Sequence, residues 1–411
     1  ERPGRWGPYR LPKTTVVRQA LVDQLCADRD ARVVTVTAPA GYGKTTLLAQ
    51  WVEQDTRCSA WLGIDQADND PMVLLDGIRV AMVKAGMAPD RERALAGITS
   101  RNAFPVGVIR VVRDANTSMA GLLILDGAER LRNPDSLAIV RELVEQLPEN
   151  VVLAVASRID VDLPSADLRA RHALVEVSGD KLAFSRDEVA DICRQASVAI
   201  TAGDIDELLT RTEGWPIAVY LKVLDIQDDV PSVGGLHVCG DDRTLACYLR
   251  ETVLARLSPT QVRFLTRTSI LESLSGDLCS FVLDDPKARD VLESLVLSTR
   301  LIVPFDQHRT WYRCHRLLRE HLAAELHRRK PDLELELHAR AATWYQAHGN
   351  PDRAISHAMS ASDEDSVSRF VLASARQRFV AGEIDTVTGW LEWFGDDDRA
   401  ARHPEIAPMA V

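Results

Sequence analysis

The 411-residue sequence predicts an α/β domain with a parallel sheet, followed by a largely helical second half. Three observations predict this. A β-branched run, a glycine-rich loop and an amphipathic stretch follow one another between Arg32 and Gln54. Further apolar runs alternate with helix-like stretches as far as Val177. Beyond Val177 the strand signals thin out and helical spacing takes over.

The first element is Arg32 to Thr37, RVVTVT, which reads as a buried strand. The loop that follows, APAGYGKTT from Ala38 to Thr46, is close to the phosphate-binding pattern G-x-x-x-x-G-K-[ST], with Ala38 in place of the first glycine. Thr45 to Gln54 then reads as a helix with Leu47, Leu48 and Trp51 on one face. In a strand–loop–helix setting, Gly41 and Gly43 let backbone N–H groups turn toward phosphate oxygens, and the helix N-terminus adds positive partial charge. Ala40, Gly41, Tyr42, Gly43, Lys44, Thr45 and Thr46 are the candidate nucleotide-binding residues of this loop. Lys44 would reach the β- and γ-phosphates of ATP or ADP, and Thr45 would offer its hydroxyl to Mg²⁺. Ala38 lies where strand becomes loop, and the inner glycines carry the harder backbone demands. The bland alternative is a glycine-rich turn that only caps a helix.

A second apolar run, Gly121 to Asp126 (GLLILD), ends in the acid expected on the Mg²⁺ side of such a site. Lys44 and Asp126 are the candidate catalytic pair, and Thr45 and Asp126 the candidate metal residues. Glu129 reads as a solvated residue at a helix start. Val151 to Ser157 (VVLAVAS) is a third strand, and Arg158 at its tip either senses a terminal phosphate or is a surface residue. Ser59 to Ile64 and Ala173 to Val177 complete the predicted strands. Ligands of open parallel sheets bind at the carboxyl ends of the strands, where the loop, Asp126 and Arg158 all fall.

Ser185-Arg186-Asp187-Glu188 reads as a capping box opening a helix. Glu213 to Leu224 is a turn and an apolar helix, and Asp225 to Asp242 reads as a linker. Leu245 to Leu257 and Pro259 to Ser269 are two predicted helices, with Ser258 as N-cap and Pro259 in the first turn. Leu301 to Phe305 and Thr310 to Cys314 flank a short hairpin signal, so the helices before them suggest a winged-helix module. From Leu335 the chain reads as wholly helical. The turn Gly349-Asn350-Pro351 recurs 33 residues later at Gly382-Glu383-Ile384, close to the ~34-residue tetratricopeptide period.

Composition bounds the function. Net charge is −11, which argues against a nucleic-acid surface as the main business of these residues. No run approaches ~18 apolar residues and no signal peptide is visible, so neither membrane span nor export is expected. The seven cysteines are odd in number and lack a C-x-x-C pair, which fits a reducing, cytoplasmic setting better than a disulfide framework or structural zinc. The chain starts at Glu1 and stops at Val411 within helical-looking sequence, as a fragment of a longer protein would.

Several stretches together resemble one family. They are TVVR (Thr15 to Arg18), the loop extended to Trp51, WLGIDQADNDP (Trp61 to Pro71), LLILD (Leu122 to Asp126), ASR (Ala156 to Arg158), LAFSRDEV (Leu182 to Val189), TEGWPIAVYL (Thr212 to Leu221), WYRCHRLLREHL (Trp311 to Leu322) and the helical stretch His338 to Asp363. In order and content they resemble the MalT-like signal-transducing ATPases with numerous domains, mostly bacterial transcription regulators ending in a LuxR-type helix-turn-helix. The likeness covers about residues 10 to 395, and Ala at the first loop position is common in that family. It implies an α/β P-loop NTPase domain (1–180), an all-α helical domain (181–240), a winged-helix domain (241–330) and the start of tetratricopeptide-like helical repeats (331–411). It implies ADP in a closed resting form, and an inducer at the repeats plus ATP in an active, self-associating form, with DNA bound only through a domain outside these residues. By resemblance, Val17 and Arg18 line the adenine side, Pro216 belongs to a G-x-P element near the adenine, and His315 touches the ADP β-phosphate. The family usually places two acids after LLIL; here Asp126 is followed by Gly127, which predicts binding with slow or absent turnover. The alternatives are a P-loop ATPase with robust turnover, and a nucleotide-independent scaffold that binds proteins through its repeats.

Overall fold

A computed structural model describes residues 5–7, 11, 15–28, 30–89, 108, 120–227, 242–299, 301–304, 306, 308–380, 384–395, 399, 402, 403 and 406. The predicted linker between Asp225 and Asp242, and the Gly382-Glu383 turn, lie largely outside them. The chain divides into two compact units, Glu1–Val238 and Cys239–Val411.

The first unit is built on five parallel strands: β1 (Val33–Thr37), β2 (Cys58–Gly63), β3 (Gly121–Asp126), β4 (Val151–Ser157) and β5 (Leu174–Ser178), in the order β2-β3-β4-β1-β5. All seven residues of β4 are buried, as expected of a strand covered on both faces. Helices α1 (Gln19–Ala27) and α2 (Lys44–Gln54) pack together, and Leu47, Leu48 and Trp51 of α2 are fully buried. Helices α3 (Pro71–Lys84) and α4 (Pro134–Gln146) contribute Leu74, Ile78, Ile139 and Leu143 to the core containing Leu62, Leu123 and Leu153 of the sheet. Asp70 caps α3 through the Met72 and Val73 amides, and Pro71 takes the first turn, where a missing N–H costs nothing. Register places Thr37 opposite Ser157 and Asp126 opposite Ala156. The ends of β1 and β3 therefore flank the end of β4, which brings the loop, Asp126 and Arg158 to one edge. The unit closes with α5 (Ser165–Ala170), α6 (Gly179–Leu182), α7 (Arg186–Gln195), α8 (Ala202–Thr212) and α9 (Pro216–Gln227). The predicted Ser185–Glu188 capping box is formed at α7, and Thr201–Asp204 forms another at α8.

The second unit departs from expectation at its start. Leu245 to Leu257 is not one regular helix: α10 (Arg243–Tyr248) passes into a π-turn at Leu249–Val253 and a tight turn at Leu254–Arg256. Leu245, Leu249, Val253 and Leu254 are all buried. The widened turn allows the adjacent Val253 and Leu254 both to reach the core. Then come α11 (Pro259–Thr268), α12 (Gly276–Leu283), α13 (Ala288–Thr299), a short antiparallel pair β6 (Ile302–Pro304) and β7 (Tyr312–Cys314), and α14 (Arg316–Arg329). Ser258 caps α11 in a capping box with Gln261, as read from the sequence. Leu274 adds an antiparallel bridge to Tyr312, so three helices and a minimal wing are present. Two helix pairs follow, α15 (Pro331–Ala347) with α16 (Pro351–Ser360) and α17 (Glu364–Val380) with α18 (Ile384–Glu392). The first helices of the pairs start 33 residues apart, and so do the second helices. No helix of the described residues is long and apolar enough to cross a membrane. The six described cysteines are free, and burial pushes the Cys279 thiol up to about 12.

Where α15 meets α16, His338 and His357 face each other with Nδ1 atoms 2.9 Å apart, and His357 stacks on Tyr345 at 5.4 Å. Burial, then the neighbouring His338 and Arg353 charges, push His357 down to about 3, and burial also lowers His338. Both groups therefore bind protons more readily unfolded than folded. Their stabilisation is complete above the unfolded value of about 6.5 and is lost as pH falls below it. Between pH 6.5 and 5, His357 alone should remove about 2 kcal/mol from the second unit. Urea unfolding at several pH values is the check. His357→Gln should flatten the acid limb; an unchanged limb would mean that other groups set it.

Candidate functional site

The loop after β1 is shaped by its glycines. Gly41 and Gly43 have φ of 78° and 79°, the left-handed region that side chains disfavour. Ala38 is fully buried, its amide donates to the Ser157 carbonyl at 3.2 Å, and it is not among the residues of positive φ. A glycine is therefore not required there. Gly43 is the residue preceding α2, so the free amides of the first helical turn face the loop. Lys44 folds back, its Nζ donating to the carbonyls of Ala38 at 2.7 Å and Pro39 at 2.9 Å. Thr45 donates its hydroxyl to the Asp126 carboxylate at 2.8 Å. Burial raises the Asp126 pKa, opposed by the Thr45 hydrogen bond and the Lys44 charge.

Around these groups lies a cleft of about 400 Å³. Of the residues predicted from sequence, Ala40, Gly41, Gly43, Lys44, Thr45, Thr46, Asp126 and Arg158 line it. Tyr42 is buried and does not line the cleft, its ring 6.3 Å from that of Trp215. Val17 and Arg18 do not line the cleft. Val17 is 53% exposed, and the Arg18 guanidinium donates to the carbonyls of Lys181, Leu182 and Ala183 and pairs with Glu188 at 2.7 Å. Pro216 is buried at the start of α9. His315 lies in the second unit, buried, directly before α14.

Several cleft residues were not foreseen. Glu129, expected to be solvated, pairs with Arg158 at 3.2 Å and also accepts from the Arg158 amide. The expectation failed because β4 ends beside β3, which places the residue after Ser157 against the turn holding Glu129. Arg5 pairs bidentately with Asp68 at 2.9 Å on both arms and with Asp65 at 3.2 Å. Its carbonyl accepts from Gly63 at the end of β2. Asp68 is fully buried, so this bidentate pair satisfies a carboxylate that would otherwise be costly to bury. Arg130, on the turn after β3, donates through Nη1 to the Ile64 carbonyl and also lines the cleft. The acid-rich stretch from Asp65 to Asp70 was the available signal for Arg5, but nothing in it named a partner 63 residues upstream.

The loop is backed by the α8–α9 turn. Trp215, fully buried, donates its indole N–H to the Ala40 carbonyl at 3.0 Å, and the Ile217 amide donates to the Gly41 carbonyl at 3.1 Å. Gly214 lets the turn itself lie against the Ala183-Phe184 segment. Its φ is 69°, and a Cβ there would lie 2.9 Å from the Phe184 carbonyl oxygen.

A parallel sheet carrying a glycine-shaped loop, a lysine, and a threonine bonded to a strand-end aspartate defines the first unit as an α/β domain of the Walker type, and a winged helix opens the second. The fold of the Walker-type ATPase paby2304 of Pyrococcus abyssi matches with a TM-score of 0.51 at 13% identity, over 78% of this chain and 98% of that one. Residues 249–334 match the family described as the MalT winged helix domain. The chain is 28% identical to the HTH-type transcriptional regulator MalT of Vibrio parahaemolyticus, across 98% of its own length and 46% of that protein. It is 27% identical to the serine/threonine-protein kinase PknK of Mycobacterium tuberculosis, across 85% of its length and 32% of the kinase. The chain is MalT-like, and it spans about half the length or less of these curated relatives.

Proposed function

We propose that the chain is the nucleotide-dependent switch module of a bacterial transcription regulator. In this reading ADP marks the resting form, and ATP with an inducer marks the active, self-associating form. The observation that carries it is the Thr45–Asp126 hydrogen bond beside Lys44, at the mouth of a loop whose glycines have the conformation that phosphate cradling needs. Lys44 would take the β- and γ-phosphates, and the loop amides from Ala40 to Thr46 would surround them. The oxygen donors of Thr45 and Asp126 suit a hard cation, so these two would hold Mg²⁺, which supplies charge neutralisation across the phosphates. A cation there would also offset the burial of the Asp126 carboxylate. The inducer would bind the helical pairs that begin at Pro331, and DNA contact belongs to a part of the regulator outside these residues. The domain boundaries at 180, 240 and 330 are part of the same proposal.

Turnover is expected to be slow. Gly127 supplies no side chain after Asp126, and Glu129, the next acid, is engaged with Arg158. The robust ATPase is the second reading, favoured by the presence of Glu129 in the cleft. Purified protein should release ADP or ATP on denaturation, read by mass spectrometry, and a phosphate-release assay should give less than about one turnover per minute. Faster turnover would favour the enzyme; protein that releases no nucleotide and binds none when it is added would leave the scaffold.

A further inference from the structure

Among the described residues the cleft holds four cationic side chains, and they differ in what they already bind. Arg5 is committed to the carboxylates of Asp65 and Asp68, and Arg158 to that of Glu129. Lys44 donates to neutral carbonyls. Arg130 is the fourth: its guanidinium donates to the neutral carbonyl of Ile64. An anion entering the cleft competes with these existing partners. Drawing Arg158 off would break the ion pair of a Glu129 carboxylate already largely shielded from water, whereas drawing Arg130 off breaks only a hydrogen bond to a neutral carbonyl.

Resting on the reading of this cleft as a nucleotide site, we infer that Arg130, rather than Arg158, is the arginine that recognises the terminal phosphate of a nucleoside triphosphate. Three features place it for that role. It lines the cleft together with Lys44 and Thr45. It lies on a three-residue turn, Ala128–Arg130, one residue after β3, so its backbone is anchored while its exposed side chain is held by one neutral carbonyl. Gly127 gives it room: a Cβ there would lie 3.0 Å from Arg130 Nη1, and Gly127 has a φ of 93°, which a side chain would strain. The glycine that follows Asp126 thus has a positive purpose, to seat a guanidinium beside the metal-side aspartate. The Arg130 charge also helps hold the Asp126 carboxyl in its ionised form. Lys44 and Arg130, both close enough to act on Asp126, would share the phosphate chain, and a diphosphate would leave Arg130 on its carbonyl.

The test is the ratio of ATP to ADP affinity, measured by calorimetry with Mg²⁺ on the full chain. Arg130→Gln should lower that ratio about tenfold or more, the loss of one charge-assisted contact made only to the terminal phosphate. Arg130→Lys should recover part of it, and Arg158→Gln should change it less than about threefold. The inference is overturned if Arg130→Gln leaves the ratio unchanged or weakens both nucleotides alike, or if Arg158→Gln has the larger effect. Wild type that binds neither nucleotide would instead defeat the underlying reading of the site, and the inference with it. Thermal unfolding of each variant guards against loss of fold, which is not expected for an exposed side chain at position 130.

Discussion

Lys44→Ala should reduce the affinity for both ADP and ATP by about a hundredfold or more, while leaving the fold intact. The reasoning starts from where the lysine sits. It opens α2, directly after Gly43, and its ammonium rests on the carbonyls of Ala38 and Pro39 at the start of the same loop. Those carbonyls belong to a short segment whose backbone is held independently, by Ser157 on one side and by Trp215 on the other. Removing the ammonium therefore does not release the loop. It removes the one lysine ammonium among the described residues that line the cleft, where Arg5 and Arg158 are tied to carboxylates. A charge-assisted contact to phosphate, lost from a partly desolvated site, is worth about 3 kcal/mol, which is about two orders of magnitude in affinity. Isothermal titration of wild type and variant with each nucleotide reads this directly. Equal affinities would remove the loop from nucleotide binding and with it the proposed switch. The loss should be common to both nucleotides, because the β-phosphate is present in each. This separates Lys44 from Arg130, whose effect should fall on ATP alone.

The half of the candidate site made by local sequence is legible in the sequence itself. A strand, a glycine loop and a helix leave their own periodicities, and a run such as GLLILD ends visibly in its acid. Arg158 was identified for the same reason, at the tip of a strand whose seven residues are all buried. What was not readable depends on pairings between distant segments. Arg5 meets Asp68 across 63 positions, and Trp215 meets Ala40 across 175. Glu129 was misjudged because its exposure depends on β4 lying beside β3, which no local pattern specifies. Arg18 belongs with these long-range pairings: its guanidinium is anchored by the carbonyls of Lys181, Leu182 and Ala183 and by Glu188, a joint between the segment before α1 and the helices after β5. In the second unit, hydrophobic spacing indicated helix from Leu245 to Leu257. It could not show the π-turn, because a wide turn keeps almost the same apolar face.

Trp215→Ala should destabilise the first unit by about 3–5 kcal/mol, because the indole is fully buried and its removal leaves a large cavity. The more informative variant is Trp215→Phe. It keeps most of the apolar volume beside Tyr42 and deletes only the N–H that the Ala40 carbonyl accepts. Loss of that bond should reduce stability by about 1–2 kcal/mol. Its consequence for binding should be larger than that suggests. The carbonyls of Ala40 and Gly41 accept from the Trp215 indole and the Ile217 amide, which fixes the peptide planes on that side of the loop. A loop released on one side must be reordered by each ligand, and affinity falls by the free energy of that ordering. Trp215→Phe should therefore remain folded in urea titrations yet bind ADP several-fold more weakly than wild type. If it binds with wild-type affinity, the turn at Gly214–Pro216 supports the packing of α9 and does not organise the phosphate loop. If binding falls, the same turn couples the helices after the sheet to the nucleotide site. The coupling works in both directions: anything that shifts α9 alters the loop, and a ligand that orders the loop draws α9 toward it. A module of the kind proposed needs such a joint, and Gly214 lets the turn that carries Trp215 pack against Phe184, where a Cβ would lie 2.9 Å from the carbonyl oxygen.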